Sequence, residues 1–141
     1  MWRVESATQV VGVYGSWGKP PTARLIKMGL DRHGVMLELG YFGMGIAGEN
    51  YAYITDVGHT VREVLSVTVS GDNSEGISRK ADYEVYSSKI DYTPRGGSEF
   101  FDIKVTATGR RATRQGRAYV LLPYTEVKVF KFVGGKYVQA K

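Results

Sequence analysis

The chain has 141 residues, a formal net charge of +5, 18 glycines, ten tyrosines and no cysteine. That length makes one ordinary domain able to bury a real core, and the missing cysteine excludes disulfides, thiolate metal centres and a cysteine nucleophile. Residues 1–70 hold six Lys/Arg and six Asp/Glu, whereas residues 71–141 hold thirteen and eight, so any electrostatic function is expected in the second half.

No apolar run approaches the roughly 20 residues that span a membrane. The opening Met1-Trp2-Arg3-Val4-Glu5 lacks the apolar stretch of a signal peptide. In chain order, Val10 to Tyr14 reads as a first strand, and Gly15 to Pro21 as a loop, because paired prolines cannot continue a ladder. Thr22 to Met28 and Val35 to Leu39 read as a hairpin through the turn Asp31-Arg32-His33-Gly34. Gly40 to Asn50 is a long glycine-rich connection holding Tyr41, Phe42, Met44 and Ile46, expected to be packed or bulged rather than free in solvent. Strands follow at Tyr51 to Thr55 and Val64 to Ser70, with turn chemistry at Asp56 to His59 and at Gly71 to Gly76.

Asp82 to Asp91 alternates, placing Glu84, Tyr86, Ser88 and Ile90 on one face. Phe100 to Ala107 is the clearest strand, with Phe101, Ile103, Val105 and Ala107 inward. Thr108 to Gly116 reads as a basic loop and Ala118 to Leu122 as a strand with Pro123 near its end. Glu126 to Val133 and Lys136 to Ala140 form a terminal hairpin through Gly134-Gly135. About ten short strands with turns between them predict a single all-β domain over residues 1–141. Short connections favour antiparallel meanders in which each strand pairs with its neighbour.

Several motifs carry a resemblance. Gly34-Val35-Met36-Leu37-Glu38, Asp56-Val57-Gly58, Tyr83-Glu84-Val85-Tyr86-Ser87, Phe101-Asp102-Ile103-Lys104-Val105 through Gly109, and Phe130-Lys131-Phe132-Val133-Gly134-Gly135-Lys136-Tyr137 form one pattern. Over about residues 31–139 it is similar to uncharacterised bacterial envelope proteins built of propeller-blade-like β meanders. The resemblance implies antiparallel meanders arranged as blade-like sheets, a sandwich or a partial propeller, since the strands are too few for a full one, and a periplasmic or secreted home; it transfers no catalytic residue. A cytoplasmic home is the alternative.

Chemistry-bearing clusters are few. His33 and His59 sit in glycine-flanked turns beside Asp31 and Asp56, where turn formation accounts for them better than acid–base work. No Gly-x-Ser-x-Gly elbow is present, and two histidines without ligand spacing give no zinc site. Asp72-Asn73-Ser74-Glu75-Gly76 has alternate oxygen ligands but lacks the downstream bidentate acid of a calcium loop, so no metal or cofactor is expected. Arg110, Arg111, Arg114 and Arg117 crowd eight residues, and arginine forks suit carboxylate or phosphate. Trp17 and Tyr41 are the candidate aromatic anchors.

The reading is a non-catalytic binding protein of the bacterial envelope, inhibitor- or immunity-like, docking a protein or other anionic macromolecule through these six residues. One alternative is a cytoplasmic nucleic-acid binder using the Arg110–Arg117 segment. It is disfavoured by the flanking acids Asp102 and Glu126 and by the lack of an RNA-binding aromatic motif. An enzyme of unknown class would have only Asp72 and Glu75 to nominate, and nothing in the sequence places them in a cleft; only a fold that set both beside His59 would support it. Lys128, Lys131 and Lys136 in the last hairpin guard an edge and favour a monomer.

Overall fold

The computed structural model describes residues 1, 3–15, 19–76 and 79–141. It is all-β: β1 (Thr22–Lys27), β2 (His33–Gly43), β3 (Ile46–Val57), β4 (Thr60–Asp72), β5 (Glu84–Thr93), β6 (Asp102–Gln115), β7 (Ala118–Val133) and β8 (Lys136–Gln139). The eight strands form one open antiparallel sheet in sequence order. A single 3₁₀ turn, Lys80–Asp82, interrupts the strands, and no described helix is long and apolar enough to cross a membrane.

Eight strands replace the expected ten because two expected strands fuse into β7 and the segment Val10 to Tyr14 is not a strand, while others lengthen. Gly40 to Asn50 is the end of β2 and the start of β3, joined by the two-residue turn Met44-Gly45 with φ of 54° and 75°. Two positive φ values define the hairpin turn that matches strand twist. Residues 118–133 are one strand with Pro123 inside it, opposite Arg110. Before Phe130, β7 has no β8 partner and is an edge strand, the place where a missing N–H is tolerated. The segment Val10 to Tyr14 is not a strand. It runs beside β4, where Thr8 Oγ1 accepts the Val61 N–H at 2.8 Å and the Tyr14 hydroxyl donates to Glu63 at 2.7 Å. Val10 and Val13 in it stay exposed, so no alternating apolar face fixes it to a ladder.

The sheet closes its core by bending. Two register shifts in the β3–β4 pair make Val64 and Val69 extra residues of β4, and both valines are 3% exposed. A bulge increases local bend and twist, and here each bulge also turns a β-branched side chain inward. β4 and β5 pair over only three positions, Ser70↔Ser87, Gly71↔Tyr86 and Asp72↔Val85. The sheet therefore has two four-stranded halves joined at one corner, and β8 comes to lie against β4.

The core between the halves takes Met36, Tyr53, Val64 and Leu65 from one side and Ile103, Val105, Phe130 and Tyr137 from the other. Ile103, Val105 and Ala107 are buried as their alternation implies. Tyr53 and Tyr92 bridge the halves through hydroxyls 3.2 Å apart. Met28 and Phe100 close the end near the β1–β2 turn, where the Phe101 N–H donates to the Met28 carbonyl at 2.7 Å. Arg32 locks this end: its guanidinium pairs with Glu99, lies 3.2 Å from Asp56 and sits over the Phe100 ring.

Candidate binding surfaces

The segment expected to be a basic loop is strand. β6 and β7 pair from Ile103↔Phe130 to Gln115↔Ala118, with Gly116 at φ 62° in the turn. β5 begins opposite Arg111, so the pairs Ala112↔Leu121 to Gln115↔Ala118 have no third strand beside them. The last backbone tether is the Ala112 N–H donated to the Tyr83 carbonyl at 2.9 Å. The result is a two-stranded arm projecting from the sheet.

Strand alternation divides the four arginines. Arg110 and Arg114 share the outer face of the arm with their neighbours Pro123 and Tyr119, and with Leu121. Tyr119 and Leu121 are exposed there. Arg117 lies in the turn. Among the described residues Arg110 and Arg117 have no ion-pair or hydrogen-bond partner, and Arg114 donates only to the Gly116 carbonyl, at 3.1 Å. No carboxylate occurs between residues 103 and 125, so nothing nearby in the chain neutralises this face.

Arg111 points the other way. Its Nε and Nη2 donate to Glu84 Oε1 at 3.2 and 2.7 Å, and its guanidinium lies 4.2 Å over the Tyr124 ring. The Tyr124 hydroxyl donates to the same Glu84 oxygen at 2.8 Å. Burial pushes the Glu84 carboxyl up, but the hydrogen bonds from Arg111 and Tyr124, with the charges of Arg111 and Lys128, hold it below its ordinary value. Burial, and then the bond to Glu84, push the Tyr124 phenol up to about 12.

Tyr41 belongs to a row that crosses most of the sheet. The register pairs Tyr41↔Gly48, Gly48↔Gly71, Gly71↔Tyr86, Tyr86↔Gly109 and Gly109↔Tyr124 are continuous. The Tyr41 and Tyr86 rings need the glycines beside them, and the close approach of β5 to β6 needs Gly109. A Cβ at Gly71 would lie 2.8 Å from the Tyr86 ring, one at Gly48 would strike the Tyr41 ring, and one at Gly109 would strike the Val85 carbonyl. Glycine kinks of this kind let a sheet curl. Tyr41 itself is 40% exposed and lines a cleft of about 450 Å³ with Pro20, Pro21 and Asn50. Trp17 lies outside the described residues.

Beside the row, the curled sheet encloses a groove of about 590 Å³ lined by β4, β5, β6, β7 and β8. Glu84, Tyr86, Tyr124, Glu126, Lys128 and Ser88 face it. Sequence reasoning placed Glu84, Tyr86 and Ser88 on one face of β5 but did not join them to Arg111 and Tyr124. The pairing of β5 with β6 and of β6 with β7 joins them, and no local spacing encodes it.

The remaining candidates separate. His59 sits in the β3–β4 turn, while Asp72 is the last residue of the 13-residue β4. Asp72 and Glu75 therefore lie at the opposite end of β4 from His59 and are not brought beside it. Asp72 Oδ1 accepts the Ser74 N–H at 2.8 Å, a turn-forming bond. Among the described residues no group of three or more His, Asp or Glu could hold a metal ion. Comparison with protein-family models, with curated proteins and with solved structures returned no match.

Proposed function

We propose that this is a non-catalytic binding protein that docks an acidic protein partner through the β6–β7 arm. The observation that carries the reading is the outer face of that arm. Arg110 and Arg114 flank exposed Tyr119 and Leu121 there, with no third strand and no nearby carboxylate. Arginine and tyrosine are the side chains enriched in interface hot spots, and Leu121 adds apolar area beside them. Arginine heads without carboxylate partners provide complementarity to an acidic surface and speed encounter.

Arg117 extends the charge at the tip. Arg111 supports the arm from inside through Glu84 rather than meeting the partner. The second tip at the same end of the sheet, with Phe42 68% and Met44 95% exposed, adds apolar contact area. Gly45 there packs against Gly76 of the β4–β5 loop, which pins the tip in place. An inhibitor- or immunity-like role in a bacterial envelope suits such a rigid, cysteine-free module.

The test is affinity capture from lysate and envelope fractions with three baits: wild type, Arg110→Ala/Arg114→Ala/Arg117→Ala, and Lys104→Ala/Lys131→Ala as a basic control. The expected result is one acidic protein held by wild type and by the control and lost from the arm variant. Retention of nucleic acid instead, weakening steeply with salt through counterion release, would favour the nucleic-acid alternative. Equal retention by all baits would refute the arm as the interface.

A further inference from the structure

We propose that the groove beneath the tyrosine–glycine row is a binding site for a neutral saccharide. Its shape comes from small residues on β6. Ala107 and Gly109 lie between the larger side chains of β5 and β7, in the rows Ser88–Ala107–Glu126 and Tyr86–Gly109–Tyr124. A strand of small residues flanked by large ones is a trough, and its volume of about 590 Å³ is that of a small-molecule site.

Its polar groups have unused capacity. All three bonds to Glu84 converge on Oε1, so Oε2 accepts none among the described residues. Arg111 donates through Nε and Nη2, which leaves Nη1 free. Ser88 Oγ is buried with no partner, a state that native structures rarely leave unsatisfied. Separate ligand hydroxyls, each both donor and acceptor, would complete Glu84 Oε2 and Arg111 Nη1 at one end of the groove and Ser88 Oγ about 13 Å along β5 from them.

Charge balance selects the ligand class. Glu84 and Glu126 face the groove with Arg111 and Lys128, and Lys128 stands 3.5 Å from Glu126. An anion would meet two carboxylates and a cation would meet two basic heads, whereas a neutral polyol can use every one of them. Arg111 covers one face of the Tyr124 ring, so the Tyr86 ring, edge to face with Tyr124 at a centroid distance of 6.5 Å, supplies the aromatic surface for the C–H face of a sugar ring.

This site lies on the inner face of the sheet, whereas Arg110 and Arg114 of the proposed docking face lie on the outer one, so variants of the two are read separately. The experiment is saturation-transfer NMR on the full chain with a panel of neutral sugars: the methyl glycosides of glucose, galactose and mannose, N-acetylglucosamine, maltose and cellobiose. Glucose 6-phosphate and glucosamine serve as charged probes. The variants are Glu126→Gln and Ser88→Ala, with Arg110→Ala/Arg114→Ala as an arm control and thermal unfolding as the check on folding.

The expected result is transfer to the ring protons of at least one neutral sugar. Each groove variant should weaken it by about tenfold or more through the loss of a ligand hydrogen bond, with the unfolding transition and the arm control unchanged. Absence of transfer from every sugar would overturn the proposal. So would tighter binding of either charged probe, or binding that survives both groove variants.

Discussion

Glu84 shows how one residue can serve both stability and site. It is the first residue of β5, and its carboxylate collects Arg111 and Tyr124 on a single oxygen. The carboxyl is held below its ordinary 4.5, so its contribution is fully present above that value and is lost as pH falls through the lowered folded value. The urea midpoint should drop between about pH 5 and pH 3, and Glu84→Gln should flatten part of that drop. With the side chain 34% exposed, solvent screening limits the cost of Glu84→Gln at pH 7 to about 1 kcal/mol. An identical pH slope in the variant would show that the carboxylate does not hold the β5–β6–β7 face together. Met44 makes a different point at the same scale. It is the sole described non-glycine residue at positive φ, and it sits almost fully exposed at a turn that Asn, Asp or Gly would suit better. A methionine kept there is consistent with a contact surface rather than with turn stability.

At the scale of elements, the arm and the body obey different rules. Within β6 the body portion buries Ile103, Val105 and Ala107 at alternate positions, whereas no residue from Ala112 to Leu121 is buried. The arm is therefore expected to be dispensable for folding. Replacing residues 112–121 by Asn-Gly, which closes a two-residue hairpin between Arg111 and Leu122, should leave the unfolding free energy within about 1 kcal/mol of wild type and abolish capture of the acidic partner. A shortened protein that fails to fold, with lost near-UV dichroism, would mean that the arm holds the body together. The arm's basic character was legible from four arginines in eight residues, but its secondary structure was not. Thr108 to Gln115 lacks an apolar alternation, because both of its faces lie outside the core. The division of Arg110 and Arg114 from Arg111 follows from strand geometry that composition cannot reveal.

For the whole molecule, the interface between the two halves matters more than any one strand pair. Arg32 reaches from the β1–β2 turn to Glu99 in the loop before β6, to Asp56 at the end of β3 and to the Phe100 ring. Its side chain is one-third exposed, so Arg32→Ala should cost about 1–2 kcal/mol. The loss should fall first at the closed end: faster hydrogen exchange of the Phe101 amide, which bonds the Met28 carbonyl, than of the Ile103 amide within β6. Arg32→Lys should recover only part, since an ammonium lacks the planar fork that meets a carboxylate and a ring together. Unchanged exchange at Phe101 would show that the apolar contacts of Met28 and Phe100 suffice to close that end.

What the amino-acid sequence determined by itself is local. Alternation from Ile103 to Ala107 marked a strand and its buried face, although Phe100 and not the expected Phe101 enters the core; Gly134-Gly135 marked a hairpin, and the face of β5 carrying Glu84, Tyr86 and Ser88 was readable from a period of two. Tyrosine, valine and glycine content marked an all-β chain of short connections, which is the meander observed. Only the tertiary structure decided where that meander bends and what the bend brings together. Val64 and Val69 read as ordinary strand residues until register makes each the extra residue of a bulge. Gly48, Gly71 and Gly109 look like turn residues until pairing sets each beside a tyrosine. The physical reason is that side-chain period is a property of one strand, whereas register, curvature and the groove they enclose belong to pairs of strands far apart in the chain.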